Sequence, residues 1–281
     1  MPQMRELLLP PSTLRTPMSS SPLMTVMINA ARKASRGLRR DFGEIENLQV
    51  SRKGPGDFVT NADKRTEKIL REELGKARPA YGLLGEEGGL VKGSDPDHRW
   101  LVDPIDGTTN FIHGVPFIAI SIALERKGEI IAALTYNPVM DELFTAERGR
   151  GAFLNERRRL RVSARRDLAD ALLGCGLPHD AADDPDRFNR ELAALQGRSG
   201  GFRRTGSACL DLAFVAAGRF DGYWERGLKP WDVAAGSLLV REAGGRLLDL
   251  DGKPDPVVTG NVLAANAELF DELSKRLRAA G

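Results

Sequence analysis

The sequence predicts a mixed α/β protein whose helices and sheets pack in layers, and three observations predict it. Apolar residues recur at helical spacing near the start. Three β-rich runs separated by tight turns follow the middle motif. Beyond them strands and helices alternate.

In chain order, Val26, Met27, Ala30, Ala31 and Ala34 fall on one face of a helix that starts at Leu23, with Arg32, Lys33 and Arg36 opposite. The stretch from Phe42 to Gly54-Pro55-Gly56 reads as irregular or short strand. The run Asp57–Asp63 opens a second helix that reaches Lys76. Thr60 and Asp63 match a capping box, which accounts for both, whereas Asp57 precedes the cap and is not explained by it. Tyr81–Gly85 reads as a strand ending at Glu86-Glu87, and 91–98 as a solvated loop. Trp100-Leu101-Val102 is an apolar strand that runs into Asp103-Pro104-Ile105-Asp106-Gly107-Thr108-Thr109-Asn110.

Strands over 117–125, 129–137 and 142–147 form an antiparallel meander, and a fourth strand is expected at 160–163. Strands at 171–176, 201–204, 220–224, 246–250 and 262–264 then alternate with helices at 185–196, 206–217, 232–243 and 268–280. Gly244-Gly245 closes the third of these helices.

The chain has 281 residues, enough for one large domain or two tightly joined ones. Residues 1–23, rich in Pro, Ser and Thr, read as a disordered extension. An N-terminal half over 24–155 and a C-terminal half over 156–281 follow. Lys and Arg number 41 and Asp and Glu 39, so net charge gives no global pull towards nucleic acid or an anionic membrane. No apolar run approaches the ~20 residues of a membrane span. Cys175 and Cys209 lie in apolar surroundings and read as reduced core thiols of a cytoplasmic protein. His98, His113 and His179 have no ligand spacing, no Cys/His cluster supports zinc, and no phosphate loop of the GxxxxGK[ST] type occurs.

The acids that stand at element ends are Asp57, Glu86, Asp103, Asp106, Glu225 and Asp232. Such junctions carry chemistry on a rigid scaffold. Pro104 pushes Asp103 out of the α region. Asp103, Asp106 and the Ile105 carbonyl can then converge on one point, a hard-oxygen set that suits Mg²⁺. Gly107 and Thr108 offer backbone N–H groups at a helix start, where a phosphate can sit. Plainer readings also stand: a proline turn with capping acids at 103–106, an exposed loop at Glu86-Glu87, and a helix cap at Asp232, which does not preclude ligation. Carboxylates, one carbonyl and a phosphate-holding turn together suit a multi-magnesium phosphoester hydrolase. A monoester anion repels its nucleophile, and paired cations remove that repulsion.

Four stretches, 57–63, 85–87, 103–110 and 231–236, resemble in order and spacing the inositol monophosphatase family. Phe202–Ala213 looks especially like its bacterial inositol-1-monophosphatase branch. The resemblance runs from about Met24 to the end and implies a five-layer α-β-α-β-α sandwich. It implies Mg²⁺ held by Glu86, Asp103 and the Ile105 carbonyl, a second ion held by Asp103, Asp106 and Asp232, and a weaker third near Glu86. Thr108, hydrogen-bonded to Asp57, would position and help deprotonate the attacking water. The Gly107 and Thr108 amides would bind phosphate. Asp106, the Ala208 region and Glu225 would contact substrate hydroxyls. Gly88 departs from the Ser or Thr that often follows the Glu pair in the family.

The implied activity is Mg²⁺-dependent, Li⁺-sensitive hydrolysis of inositol 1-phosphate by a homodimer. The rivals are phosphatases of fructose 1,6-bisphosphate, histidinol phosphate, NADP and nucleotide 3′-phosphates, which share the metal motifs. From another class comes a protein that binds RNA or a transcription complex, with secondary phosphatase activity. Its candidate surface is the run Arg157-Arg158-Arg159, Arg161, Arg165-Arg166, which also reads as a charged strand edge that resists aggregation.

Overall fold

Ser21 starts the first helix by accepting a hydrogen bond from the Met24 N–H, with Pro22 in the first turn. The computed structural model describes residues 21–42, 50–54, 57–178 and 184–281, with backbone alone for 50–54 and 57–59. Most of the expected N-terminal extension, and His179, lie outside the described residues. Helix α1 (Pro22–Asp41) buries the predicted Met27, Ala30, Ala31 and Ala34 face. Strands β1 (Val50–Gly54) and β2 (Asp57–Thr60) pair antiparallel, and α2 (Asn61–Ala77) follows with the predicted Thr60/Asp63 capping box.

An eight-stranded sheet contains β3 (Tyr81–Gly85), β4 (Gly89–Val91), β5 (Asp95–Asp106) and, after the short α3 (Thr108–Ile112), β6 (Ala119–Arg126) and β7 (Glu129–Asn137). It continues through β8 (Glu142–Glu147), β9 (Gly151–Leu154) and β10 (Arg158–Arg159), in the order β10-β9-β8-β7-β6-β5-β3-β4. The second part begins with β11 (Leu172–Cys175), α4 (Pro185–Leu195), β12 (Gly201–Arg203), α5 (Ala208–Ala216) and β13 (Gly222–Glu225). It ends with α6 (Pro230–Glu242), β14 (Arg246–Asp249), α7 (Pro256–Thr259), β15 (Val262–Ala265) and α8 (Ala267–Ala280). Its five strands lie in the order β12-β11-β13-β15-β14.

Three cores define the layers. Met27 and Leu70 of α1 and α2 pack with Trp100, Val102 and Ile122 on one face of the larger sheet. Leu101 and Phe144 on its other face pack with Leu210 of α5 and Leu239 of α6, which also meet Tyr223 and Ala264 of the smaller sheet. Leu195 of α4 and Phe270 of α8 close the far side over Leu173 and Leu263. The result is the expected α-β-α-β-α stack. Trp100, Leu101 and Val102 alternate between two cores, so the strand leading to the acids is apolar on both faces.

Three expectations of extent need correction. The loop expected over 91–98 is shorter, because β5 already starts at Asp95: Asp95 pairs parallel with Tyr81 of β3, His98 pairs with Arg126 of β6, and the His98 ring stacks on Tyr81 at 4.4 Å. The fourth meander strand is β9, not 160–163. Leu160 and Val162 are held by single bonds, Leu160 N–H to Ala152 C=O (2.8 Å) and Val162 N–H to Ala243 C=O (3.1 Å), as the chain crosses towards the end of α6. Helix α6 starts at Pro230, so Asp232 is its third residue rather than its cap. No helix among the described residues is long and apolar enough to cross a membrane.

Candidate active site

Asp103 lies opposite Ser121 and Asp106 opposite Ala119, so β5 carries one more residue than β6 between those pairs. Pro104 has no N–H to give to a ladder, and a bulge is where a strand tolerates it. The extra residue resets the alternation that would send side chains three apart to opposite faces. Carboxylate oxygens of Asp103 and Asp106 consequently lie within 4.8 Å of each other. Gly107 turns the chain with φ +89°, a conformation that disfavours other residues, and starts α3. The first bond of α3 runs from Phe111 N–H to Gly107 C=O (3.0 Å), so the Gly107 and Thr108 amides precede it as donors at a helix start.

Two further helices aim their N-termini at the same place. A Cβ on Gly236 would fall 2.4 Å from Leu212 Cδ1, so its absence lets α5 and α6 approach closely. At the start of α5, Ser207 Oγ (2.6 Å) and Cys209 N–H (2.7 Å) both donate to Asp106 Oδ2. In the first turn of α6, Asp232 Oδ2 accepts from Lys229 N–H (2.7 Å). Asp103 Oδ1 accepts from Ile105 N–H (2.9 Å). Glu86 follows β3, and its N–H reaches Val102 C=O (3.2 Å).

Burial pushes the acids of Asp103, Asp106 and Asp232 above the usual carboxylate range. The Glu86, Asp106 and Asp232 charges add to the rise at Asp103, and Asp106 and Glu86 to that at Asp232. Among the described residues no lysine or arginine side chain figures among the strongest influences on any of the three. Converging carboxylates that raise one another's acids fit a divalent cation, whose charge would relieve that repulsion, and their oxygens suit Mg²⁺. Cys209 Sγ also lies within 4.8 Å of Asp103 and Asp106 oxygens. It donates to Asp232 C=O at 3.3 Å, burial pushes the thiol well up, and its soft sulfur suits Mg²⁺ less well than the carboxylate oxygens.

Thr108 Oγ1 lies 3.0 Å from Asp63 Oδ1 and 3.1 Å from Ile105 C=O, and its single proton serves one at a time. The side chain of Asp57, expected beside Thr108, lies outside the described residues. Asp63 therefore does more than cap. Oδ2 accepts from Thr60 N–H and Oγ1, both at 2.7 Å, while Oδ1 faces Thr108. Burial raises the Asp63 acid above its ordinary value.

Sequence reasoning also missed Glu67. From α2 it accepts from Glu87 N–H (2.7 Å) and Gly88 N–H (2.8 Å) and pairs with Arg71 (2.8 Å), pinning the turn that carries Glu86. A Cβ at Gly88 would meet Arg71 Nη2 at 2.7 Å and Glu67 Oε1 at 2.8 Å, so a larger residue there would displace the Glu67–Arg71 pair. Nothing but its helical spacing to Arg71 marks Glu67 in the sequence.

Ala208 opens α5, and Glu225 ends β13, where Tyr223 O–H donates to it. Beside Glu225 lies a cavity of about 210 Å³ walled by Phe188, Trp224, Arg226 and Asn261. The acids 86, 103, 106 and 232 are not in its lining, but the Glu225 charge reaches Asp232.

The sequence model of the inositol monophosphatase family matches residues 19–280. A Rhizobium meliloti protein named inositol-1-monophosphatase is 56% identical over 93% of this chain and 96% of its own. The Pseudomonas aeruginosa protein named Nus factor SuhB is 45% identical over 90% of this chain and 94% of its own. The crystal structure of extragenic suppressor protein suhB from Bartonella henselae superposes with a TM-score of 0.88 at 52% identity, covering 92% of this chain and 99% of that one.

Proposed function

The chain belongs to the inositol monophosphatase family and is a phosphoric monoester hydrolase, and from that premise we propose that it hydrolyses inositol 1-phosphate to inositol and phosphate at the acidic cluster. The observation that supports this reading is the convergence of Glu86, Asp103, Asp106 and Asp232: the Glu86 and Asp106 charges raise the acids of Asp103 and Asp232, and Asp232 adds to the rise at Asp103.

Glu86, Asp103 and the Ile105 carbonyl would hold one Mg²⁺, and Asp103, Asp106 and Asp232 a second, with a weaker third near Glu86. When bound, Mg²⁺ neutralises phosphoryl oxygens and acidifies a water. The Gly107 and Thr108 amides hold the phosphate in line. Thr108, backed by Asp57 or Asp63, orients the water and passes its proton to a carboxylate. Asp106, the Ala208 region and Glu225 take the cyclitol hydroxyls; the ester P–O bond breaks as the bond from water to phosphorus forms, with no covalent phosphoenzyme, and the leaving alkoxide takes a proton from solvent. The working form is a cytoplasmic homodimer, which light scattering checks.

Phosphate release across inositol 1-phosphate, fructose 1,6-bisphosphate, histidinol phosphate, NADP and a nucleotide 3′-phosphate, titrated with Mg²⁺ and Li⁺, tests the substrate. Inositol 1-phosphate is expected to give the highest kcat/KM, with inhibition by Li⁺. A higher value for any other monoester overturns the assignment.

A second reading is favoured by Arg157, Arg158 and Arg159, exposed at and beside the edge strand β10, and by the SuhB name of relatives. In that reading the chain also binds RNA or a transcription complex through this edge. Salt-sensitive RNA binding should survive Asp103→Asn. Unchanged binding after neutralising the three arginines sinks the idea.

A further inference from the structure

Asn110 closes the 103–110 stretch, yet both hydrogens of its side-chain amide go to backbone. Nδ2 donates to Phe117 C=O (2.7 Å) and, across the chain, to Thr205 C=O (2.8 Å). Thr205 is fixed at its other end, where Oγ1 donates to Oδ1 of the buried Asp211 (2.7 Å). The same hydroxyl accepts from Ser207 N–H (3.3 Å). Ser207 caps α5, accepting from Leu210 N–H (3.3 Å), and spends its own hydroxyl proton on Asp106 Oδ2 (2.6 Å). Cys209 N–H supplies the second donor to that oxygen.

Asp106 is thereby held by one oxygen in a two-donor grip, which leaves Oδ1 as the oxygen to face a cation. The grip is only as well placed as residues 205–207, and Asn110 and Asp211 both hold Thr205, the first through its carbonyl and the second through its hydroxyl.

We propose that Asn110, Thr205 and Asp211 are positioning residues that hold the start of α5 so that Asp106 presents a single oxygen to Mg²⁺. The proposal rests on the reading of Asp106 as a metal ligand. Groups that orient a ligand in this way commonly change metal affinity by about 10–100-fold when removed. Because Asp106 and the Ala208 region are also placed at the substrate hydroxyls, the clamp is read directly in the substrate-free protein, where it should set Mg²⁺ affinity.

The test uses the full chain as wild type, Thr205→Val, Thr205→Ser, Asn110→Ser and Asp106→Asn. Calorimetry gives the Mg²⁺ Kd, phosphate release gives the half-saturating Mg²⁺ and the substrate KM, and thermal melts in EDTA report folding. Thr205→Val and Asn110→Ser are expected to weaken Mg²⁺ binding to the substrate-free protein about tenfold and to raise the half-saturating Mg²⁺ in parallel. Thr205→Ser keeps the hydroxyl and should bind Mg²⁺ like wild type. If Thr205→Val does not fold, Asn110→Ser carries the same measurement. Folded variants that bind Mg²⁺ as tightly as wild type, while Asp106→Asn loses it, overturn the positioning role alone. Wild-type Mg²⁺ affinity in Asp106→Asn overturns the metal reading beneath it.

Discussion

Thr108 Oγ1 lies 3.0 Å from one oxygen of Asp63, whose other oxygen closes the cap of α2. The two jobs separate by mutation. Asp63→Asn should lower kcat by about 100-fold if that carboxylate takes the proton of the attacking water. Thr60→Val should cost about 1 kcal/mol of stability through the cap while leaving kcat near wild type. Initial rates at saturating Mg²⁺ and urea unfolding measure both. A parallel series with Asp57→Asn decides which carboxylate backs Thr108: the larger loss of kcat marks it.

Glu67 holds the Glu86 turn through the Glu87 and Gly88 amides. Removing it leaves two donors without their acceptor, and each such loss costs about 1–3 kcal/mol. Glu67→Ala is therefore expected to lower Tm and raise the half-saturating Mg²⁺. An unchanged Mg²⁺ dependence in the folded variant would show that the turn keeps its shape without Glu67.

Asp211 is buried, and burial holds its acid well above the usual carboxylate range. The fold thus favours the neutral acid. That contribution is complete below the unfolded value of about 3.9 and is lost as pH rises through the raised folded value. Asp211→Asn keeps an oxygen for Thr205 but cannot ionise. Its Tm in EDTA should meet wild type near pH 4 and exceed it increasingly towards pH 8. A difference that is flat across pH contradicts the assignment.

Burial pushes the Cys175 thiol up to about 12 and the Cys209 thiol well above its ordinary value. The thiolate is the reactive form. At pH 8 the native chain should react negligibly with a disulfide reagent, and both cysteines should react in denaturant. Rapid native labelling would show a thiol that is neither buried nor protonated.

Much of the architecture is legible because periodicity survives in it. The α1 face, the two-faced apolar run at 100–102 and the meander strands are written in local residue order. The start of β5 is not, since Asp95, Pro96, Asp97 and His98 are polar or strand-breaking, and the strand begins there through the Asp95 pairing with Tyr81 of β3 and the His98 pairing with Arg126 of β6. Residues 160–163 look like a strand because Leu160 and Val162 alternate, but their bonds go to two different elements. In the site, Asp103, Asp106 and Asp232 stand out because they interrupt apolar context at element ends. Asp63 is hidden by a cap that explains it locally. Glu67 sits within a helix like an ordinary surface acid, and only tertiary packing buries it, whereas Asp211 is the lone charge of an apolar helix whose partner Thr205 the sequence does not mark.

The central claim is that Asp103 belongs to a metal centre that hydrolyses a phosphate monoester. Asp103→Asn removes a buried charge without changing shape, so the metal-free protein should stay folded. Calorimetric Mg²⁺ titration of that variant, alongside phosphate release from inositol 1-phosphate, tests the claim most directly. Loss of both Mg²⁺ binding and turnover in a folded protein is the predicted result; near-wild-type binding and turnover would contradict it.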